Sequence, residues 1–122
     1  MTHPDRVPDY LEHIADAIKR ATEYMQSLEN RAALEHNRLA QDAIVRNIAV
    51  IGEAASRIHK IAPDFEAKHP ELPWIEMRGM RNKLIHDYFD IDWPTVWDTV
   101  KEDLPLLLKQ IQSLLSPPSN ET

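Results

Sequence analysis

Large apolar residues recur every three or four positions along nearly the whole 122-residue chain, and no segment alternates one apolar with one polar residue. That periodicity belongs to helices with one buried face and leaves little room for half-buried strands. Val7, Leu11, Ile14, Ile18, Met25 and Leu28 form a first stripe, with steps of 4, 3, 4, 7 and 3. Asp5 is placed to cap this helix, and Pro8 falls in its first turn, where a missing N–H does little harm. Residues 29–37 read as a connection with room for a short helical turn. A second helix runs from about Arg38 to Ala62, burying Ile44, Ile48, Ile51, Ala55 and Ile58, and Pro63 with Asp64 stops it. Residues 63–73 hold three prolines and read as a loop. A third helix starts near Trp74, turns Met77, Met80 and Leu84 inward, and should end near Tyr88. Asp90 or Asp92 then caps a fourth, with Pro94 in its first turn. Val96, Val100, Leu104, Leu107, Ile111 and Leu114 mark its buried side, and Pro105 should kink it. The expectation is an all-α protein, an antiparallel bundle of four to five helices over residues 1–115 with a disordered tail over 116–122.

Composition narrows the function classes. Two glycines, Gly52 and Gly79, stand 27 residues apart, which excludes dinucleotide-binding and Walker-type phosphate loops. Both fall inside expected helices, where each costs about 1 kcal/mol relative to alanine. Such positions point to close approach, of helix to helix at Gly52 and of a partner chain or ligand at Gly79. With no cysteine there is no disulfide, no thiolate metal site and no thiol nucleophile. His86, Asp87, Asp90 and Asp92 lack a second cluster to complete a coordination shell, so no metal and no cofactor is expected. The longest apolar run near the middle, Ile48 to Ile51, is far too short to span a membrane, and the first ten residues are polar. A soluble cytoplasmic protein is expected. The formal charge of −6 is opposite to that of most nucleic-acid binders, so any contact with RNA needs a local basic patch.

The third helix supplies one. Between Ile75 and Ile85, Arg78, Arg81 and Lys83 stand against Glu76, a local sum of +2. Arg81, Asn82, His86 and Tyr88 bring a permanent cation, an amide, an imidazole and a phenol together. On a continuous helix Asn82 and His86 share a face, so the amide could fix the imidazole tautomer. Arg81 and His86 would differ by roughly 140° on the same helix. Either the helix therefore ends near Ile85, or the site is composite across a two-fold axis in a homodimer. The second helix adds a polar stripe: Asp42 and Arg46 at i,i+4, Glu53 seven beyond Arg46, and Asn47 adjacent. Trp74, Trp93 and Trp97 read as core or interface aromatics.

Arg81, four residues, His86, one residue and Tyr88 form an Arg-x4-His-x-Tyr pattern. With Leu72-Pro73-Trp74, Gly79-Met80-Arg81-Asn82 and Leu84-Ile85-His86-Asp87-Tyr88-Phe89, and with Gln41-Asp42-Ala43 through Arg46-Asn47-Ile48 to Ile51-Gly52-Glu53-Ala54, the chain resembles the HepT family of the HEPN group of helical domains. Val96-Trp97 followed by Asp103-Leu104-Pro105 belongs to the same likeness, which spans about Asp5 to Leu115. The resemblance implies a HEPN-like homodimer that acts as the toxin of a type VII-like toxin–antitoxin pair. It implies a metal-independent endoribonuclease acting on RNA, with Arg81 and His86 catalytic. Asn82, Asp42, Arg46 and Glu53 would support them. It also implies silencing by a minimal nucleotidyltransferase antitoxin that transfers AMP to Tyr88. The alternative is a non-catalytic nucleotide-binding partner, or substrate, of that nucleotidyltransferase, which the acidic net charge favours.

Overall fold

The computed structural model describes residues 6–87 and 90–116, with residues 85–87 described by their backbone alone. Helix α1 (Val7–Gln26) is followed by the short α2 (Arg31–Glu35) and the long α3 (Arg38–Ile61). Then come α4 (Pro63–Lys68) and α5 (Trp74–Leu84). A two-stranded antiparallel ribbon, β1 (Ile85–Asp87) and β2 (Asp90–Ile91), leads into α6 (Trp93–Asp98). A π-helical segment, Thr99–Asp103, joins α6 to α7 (Leu104–Leu115). No described helix is long and apolar enough to cross a membrane.

Helix α1 packs against α3 and α7, and α5 lies on α3. The stripes read from the sequence form the core: Leu11, Ile14 and Ile18 of α1, Ile44, Ile48, Ile51 and Ile58 of α3, Met77 and Leu84 of α5, and Val96, Leu104 and Ile111 beyond it are all buried. The fold is the expected all-α bundle, built on four principal helical rods with α2 and α4 as short additions.

Local details refine these expectations. Asp5 lies outside the described residues; Arg6 occupies the N-cap of α1 and makes no side-chain cap. The proline-rich stretch after Ala62 contains helix α4, because Pro63 takes a first-turn position where proline is tolerated. Pro105 likewise sits in the first turn of α7, and a wide π turn ends just before it, so the regular α-helical pattern is broken next to the proline, where the kink is expected. Asp92 is the cap of α6: its carboxylate accepts from the Thr95 N–H at 3.1 Å and from the Thr95 hydroxyl at 2.8 Å.

The change that matters most for the site is the end of α5. The helix stops at Leu84, short of Tyr88, and the Asp92 N–H closes its last carbonyl at 3.1 Å. β-Branched Ile85 and Ile91 pair across the ribbon, while Asp87, Asp90 and Asp92 are weak helix formers. The register slips between the pairs Ile85–Ile91 and Asp87–Asp90, which places His86 at an irregularity of the strand.

Candidate active site

Arg81 stands on the last turn of α5 with its side chain exposed. Its only described polar contact is long, Nη1 to Asn82 Oδ1 at 3.4 Å, and no carboxylate pairs with it among the described residues. A groove of about 320 Å³ runs between α3 and α5. Gly52, Glu53 and Ser56 line one side, and Arg78, Arg81 and Asn82 the other. The groove can form because α5 lies close on α3. A Cβ at Gly52 would stand 3.4 Å from the Met77 carbonyl oxygen and 3.5 Å from that of Arg78, so glycine here admits the neighbouring backbone, as expected. A Cβ at Gly79 would meet nothing within 4 Å, so among the described residues that position is open.

Arg78 is not free to bind an anion. Its Nη1 donates to Glu66 Oε1 at 2.7 Å, and His59 Nδ1 lies 3.1 Å from the same oxygen. This partly buried cluster ties α5 to α4 and α3. The basic patch therefore reduces to Arg81 and Lys83 against Glu76, all exposed. Glu53 is held by Arg57, one turn along α3, at 3.0 Å. The Glu53 hydrogen bond and charge, with a smaller contribution from the Tyr10 phenol, raise the Arg57 guanidinium above its already high pKa. The guanidinium stays charged at neutral pH.

The expected supporting residues divide between two places, although Arg46 and Glu53 also share a further groove of about 530 Å³ with Tyr10 and His13. Asn82 and Glu53 share the groove with Arg81. Asp42 and Arg46 do not lie in it, and no ion pair joins them despite their i,i+4 spacing. They line a second groove, of about 610 Å³, with Arg38, Ile91 and Trp93. Asn47, which the spacing put beside the polar stripe, is buried and donates to the Ala43 carbonyl at 2.7 Å. Trp74 is the core aromatic expected, its indole N–H donating to the His69 carbonyl at 2.8 Å.

His86 is on β1 and not on the helix, so the i,i+4 argument pairing it with Asn82 lapses. So does the 140° separation from Arg81, since the chain turns out of the helix between them. Of the two alternatives, the helix ending near Ile85 is the one found. Tyr88 lies outside the described residues. Ser56 and Arg38 were missed. Each falls on the exposed flank of α3 at seven- or four-residue spacing from Ala49 or Asp42, which is the signal that would have found them.

A family model described as Ribonuclease HepT-like matches residues 14–114. "Probable ribonuclease HepT" of Thermococcus cleftensis is 42% identical over 106 residues, which cover 87% of this chain and 93% of that protein. A candidate RNase of Methanocaldococcus jannaschii is 38% identical over 109 residues, covering 88% and 82%. Another, from Caldanaerobacter subterraneus subsp. tengcongensis, is 35% identical over 106 residues, covering 87% and 91%. No solved structure matches. With a helical bundle of the expected kind, an exposed arginine in a groove and these relatives over most of its length, the chain belongs to the HepT-like ribonuclease family.

Proposed function

We propose that this protein is a metal-independent endoribonuclease, the toxin of a type VII-like toxin–antitoxin pair, with Arg81 and His86 as its catalytic residues. The observation that carries this reading is Arg81: an exposed guanidinium in a groove, without a carboxylate partner among the described residues, five positions before a histidine on the adjoining strand. A guanidinium left unpaired is available to two oxygens of a phosphate.

The chemistry needs a base, an acid and a group that stabilises charge on the phosphate. His86 takes the proton from a ribose 2′-OH, and the oxygen attacks the adjacent phosphorus. Arg81 stabilises the charge that builds on the phosphorane oxygens. The P–O5′ bond breaks, the 5′ oxygen receives a proton from an acid, and the other product ends in a 2′,3′-cyclic phosphate. Histidine suits both proton transfers, since its reference pKa of about 6.5 leaves both forms populated near neutral pH. In a homodimer the second His86 can be the acid. The family resemblance supports that dimer; the strand placement of His86 removes the geometric need for it. Transfer of AMP to Tyr88 by a nucleotidyltransferase antitoxin would silence the site by bulk and by a phosphate competing for Arg81.

Growth on expression tests the proposal. The wild type should arrest growth and His86→Ala should not. Coexpression with the nucleotidyltransferase should restore growth and add whole AMP increments to the intact mass, lost in Tyr88→Phe. A harmless wild type that leaves RNA intact would favour the non-catalytic nucleotide-binding alternative.

A further inference from the structure

The second groove, of about 610 Å³, is larger than the one that holds Arg81 and lies within the usual size of a small-molecule site. Its wall combines two exposed guanidiniums, Arg38 and Arg46, with the exposed carboxylate of Asp42 and the half-buried indole of Trp93. Neither arginine has a carboxylate partner among the described residues. Its position is as informative as its composition. Asp42 lines this groove, and Ala49 and Ser56 line the first; residues at seven-residue spacing share one flank of a helix, so the two grooves follow one another along α3, with about 10 Å between equivalent positions. Ile91 borders the second groove and pairs with Ile85, the residue before His86. The ribbon carrying His86 therefore flanks this groove, and Arg81 borders the one beside it.

We propose that the groove formed by Arg38, Asp42, Arg46 and Trp93 is a nucleotide subsite for single-stranded RNA flanking the cleavage centre. Trp93 offers a face for a base, Arg38 and Arg46 take the phosphate, and Asp42 accepts from a base amine or ribose hydroxyl. The assignment of RNA as ligand rests on the ribonuclease reading. Trp93 thus combines the packing role expected of it with a surface one: part of it packs on the core and part borders the groove.

The test uses a short oligoribonucleotide, 2′-O-methylated throughout so that no 2′-OH can attack. Its binding to the full chain is followed by fluorescence anisotropy and by quenching of indole emission. Trp93→Leu should weaken binding roughly ten-fold and remove part of the quenching, while Trp93→Phe keeps most of the affinity. Arg38→Gln, which leaves the core untouched, should lower the slope of log affinity against log salt by about 0.7. Melting curves of each variant separate lost contacts from lost folding. Binding and quenching unchanged in Trp93→Leu, with the salt slope unchanged in Arg38→Gln, would overturn the proposal. So would dependence on these residues for AMP alone but not for the oligonucleotide, which would make the groove a mononucleotide site. Because the probe cannot be cut, the two readings fail separately. RNA binding that depends on Trp93 in a protein that leaves ordinary RNA intact would keep the subsite and remove the ribonuclease.

Discussion

Gly79→Ala should stabilise this protein, and by an amount the structure bounds. Gly79 lies inside α5, where glycine costs about 1 kcal/mol relative to alanine through backbone entropy. The added methyl would meet nothing within 4 Å among the described residues, so no clash with them offsets the gain. The full effect, up to about 1 kcal/mol, should raise the melting temperature by roughly 3–6 °C in a domain of this size. Gly52→Ala is the control. It gains the same helix propensity, but its Cβ stands 3.4 Å from the Met77 carbonyl oxygen, at the near limit of ordinary contact with backbone that has little room to move, so the gain should be smaller. Thermal melts by far-UV circular dichroism, run side by side, should rank Gly79→Ala above wild type and above Gly52→Ala. A Gly79→Ala protein that melts at or below wild type would refute the argument. A larger residue then asks why glycine is there at all. Gly79→Leu should raise the melting temperature nearly as much as Gly79→Ala and lower RNA cleavage or dimer content, since its Cβ meets nothing within 4 Å among the described residues. A fully active dimeric variant would remove Gly79 from any interface.

Other residues give sharper separations of stability from function. Arg81→Ala should lower RNA cleavage by about 10²–10³ with melting unchanged, because its guanidinium supports no ion pair within the described fold. Glu66→Ala should do the reverse in kind: it leaves the partly buried Arg78 unpaired and should cost about 1–3 kcal/mol in urea unfolding. Asp92→Ala removes the cap of α6 and should cost about 0.5–2 kcal/mol by the same assay.

The helices were legible because burial follows a 3.6-residue period, and Ile44, Ile48, Ile51 and Ile58 are buried as their spacing requires. Arg81, Asn82 and Glu53 could be placed in one groove for the same reason, since α3 and α5 are regular helices. The chain after Leu84 was legible only as one of two alternatives. Residues 81–88 keep helical spacing, and what ends the helix is tertiary: the Asp92 N–H on the Leu84 carbonyl, and Ile85 paired with Ile91. Arg78 misled in a similar way. Its charge counts toward a basic patch in the sequence, while Glu66, twelve residues away, neutralises it in the fold. Asp42 and Arg46 have the spacing of an ion pair, but an exposed pair of this kind is worth little, and the side chains stand apart.

The central claim is that Arg81 and His86 cut RNA through attack by the neighbouring 2′-OH. Analysis of the ends left by the purified, unmodified protein in the presence of a chelator addresses it most directly. The account predicts 2′,3′-cyclic phosphate and 5′-hydroxyl ends, absent with His86→Ala and with a substrate 2′-O-methylated at the cut. Products bearing a 3′-hydroxyl and a 5′-phosphate, or cleavage that persists through the 2′-O-methyl group, would contradict it.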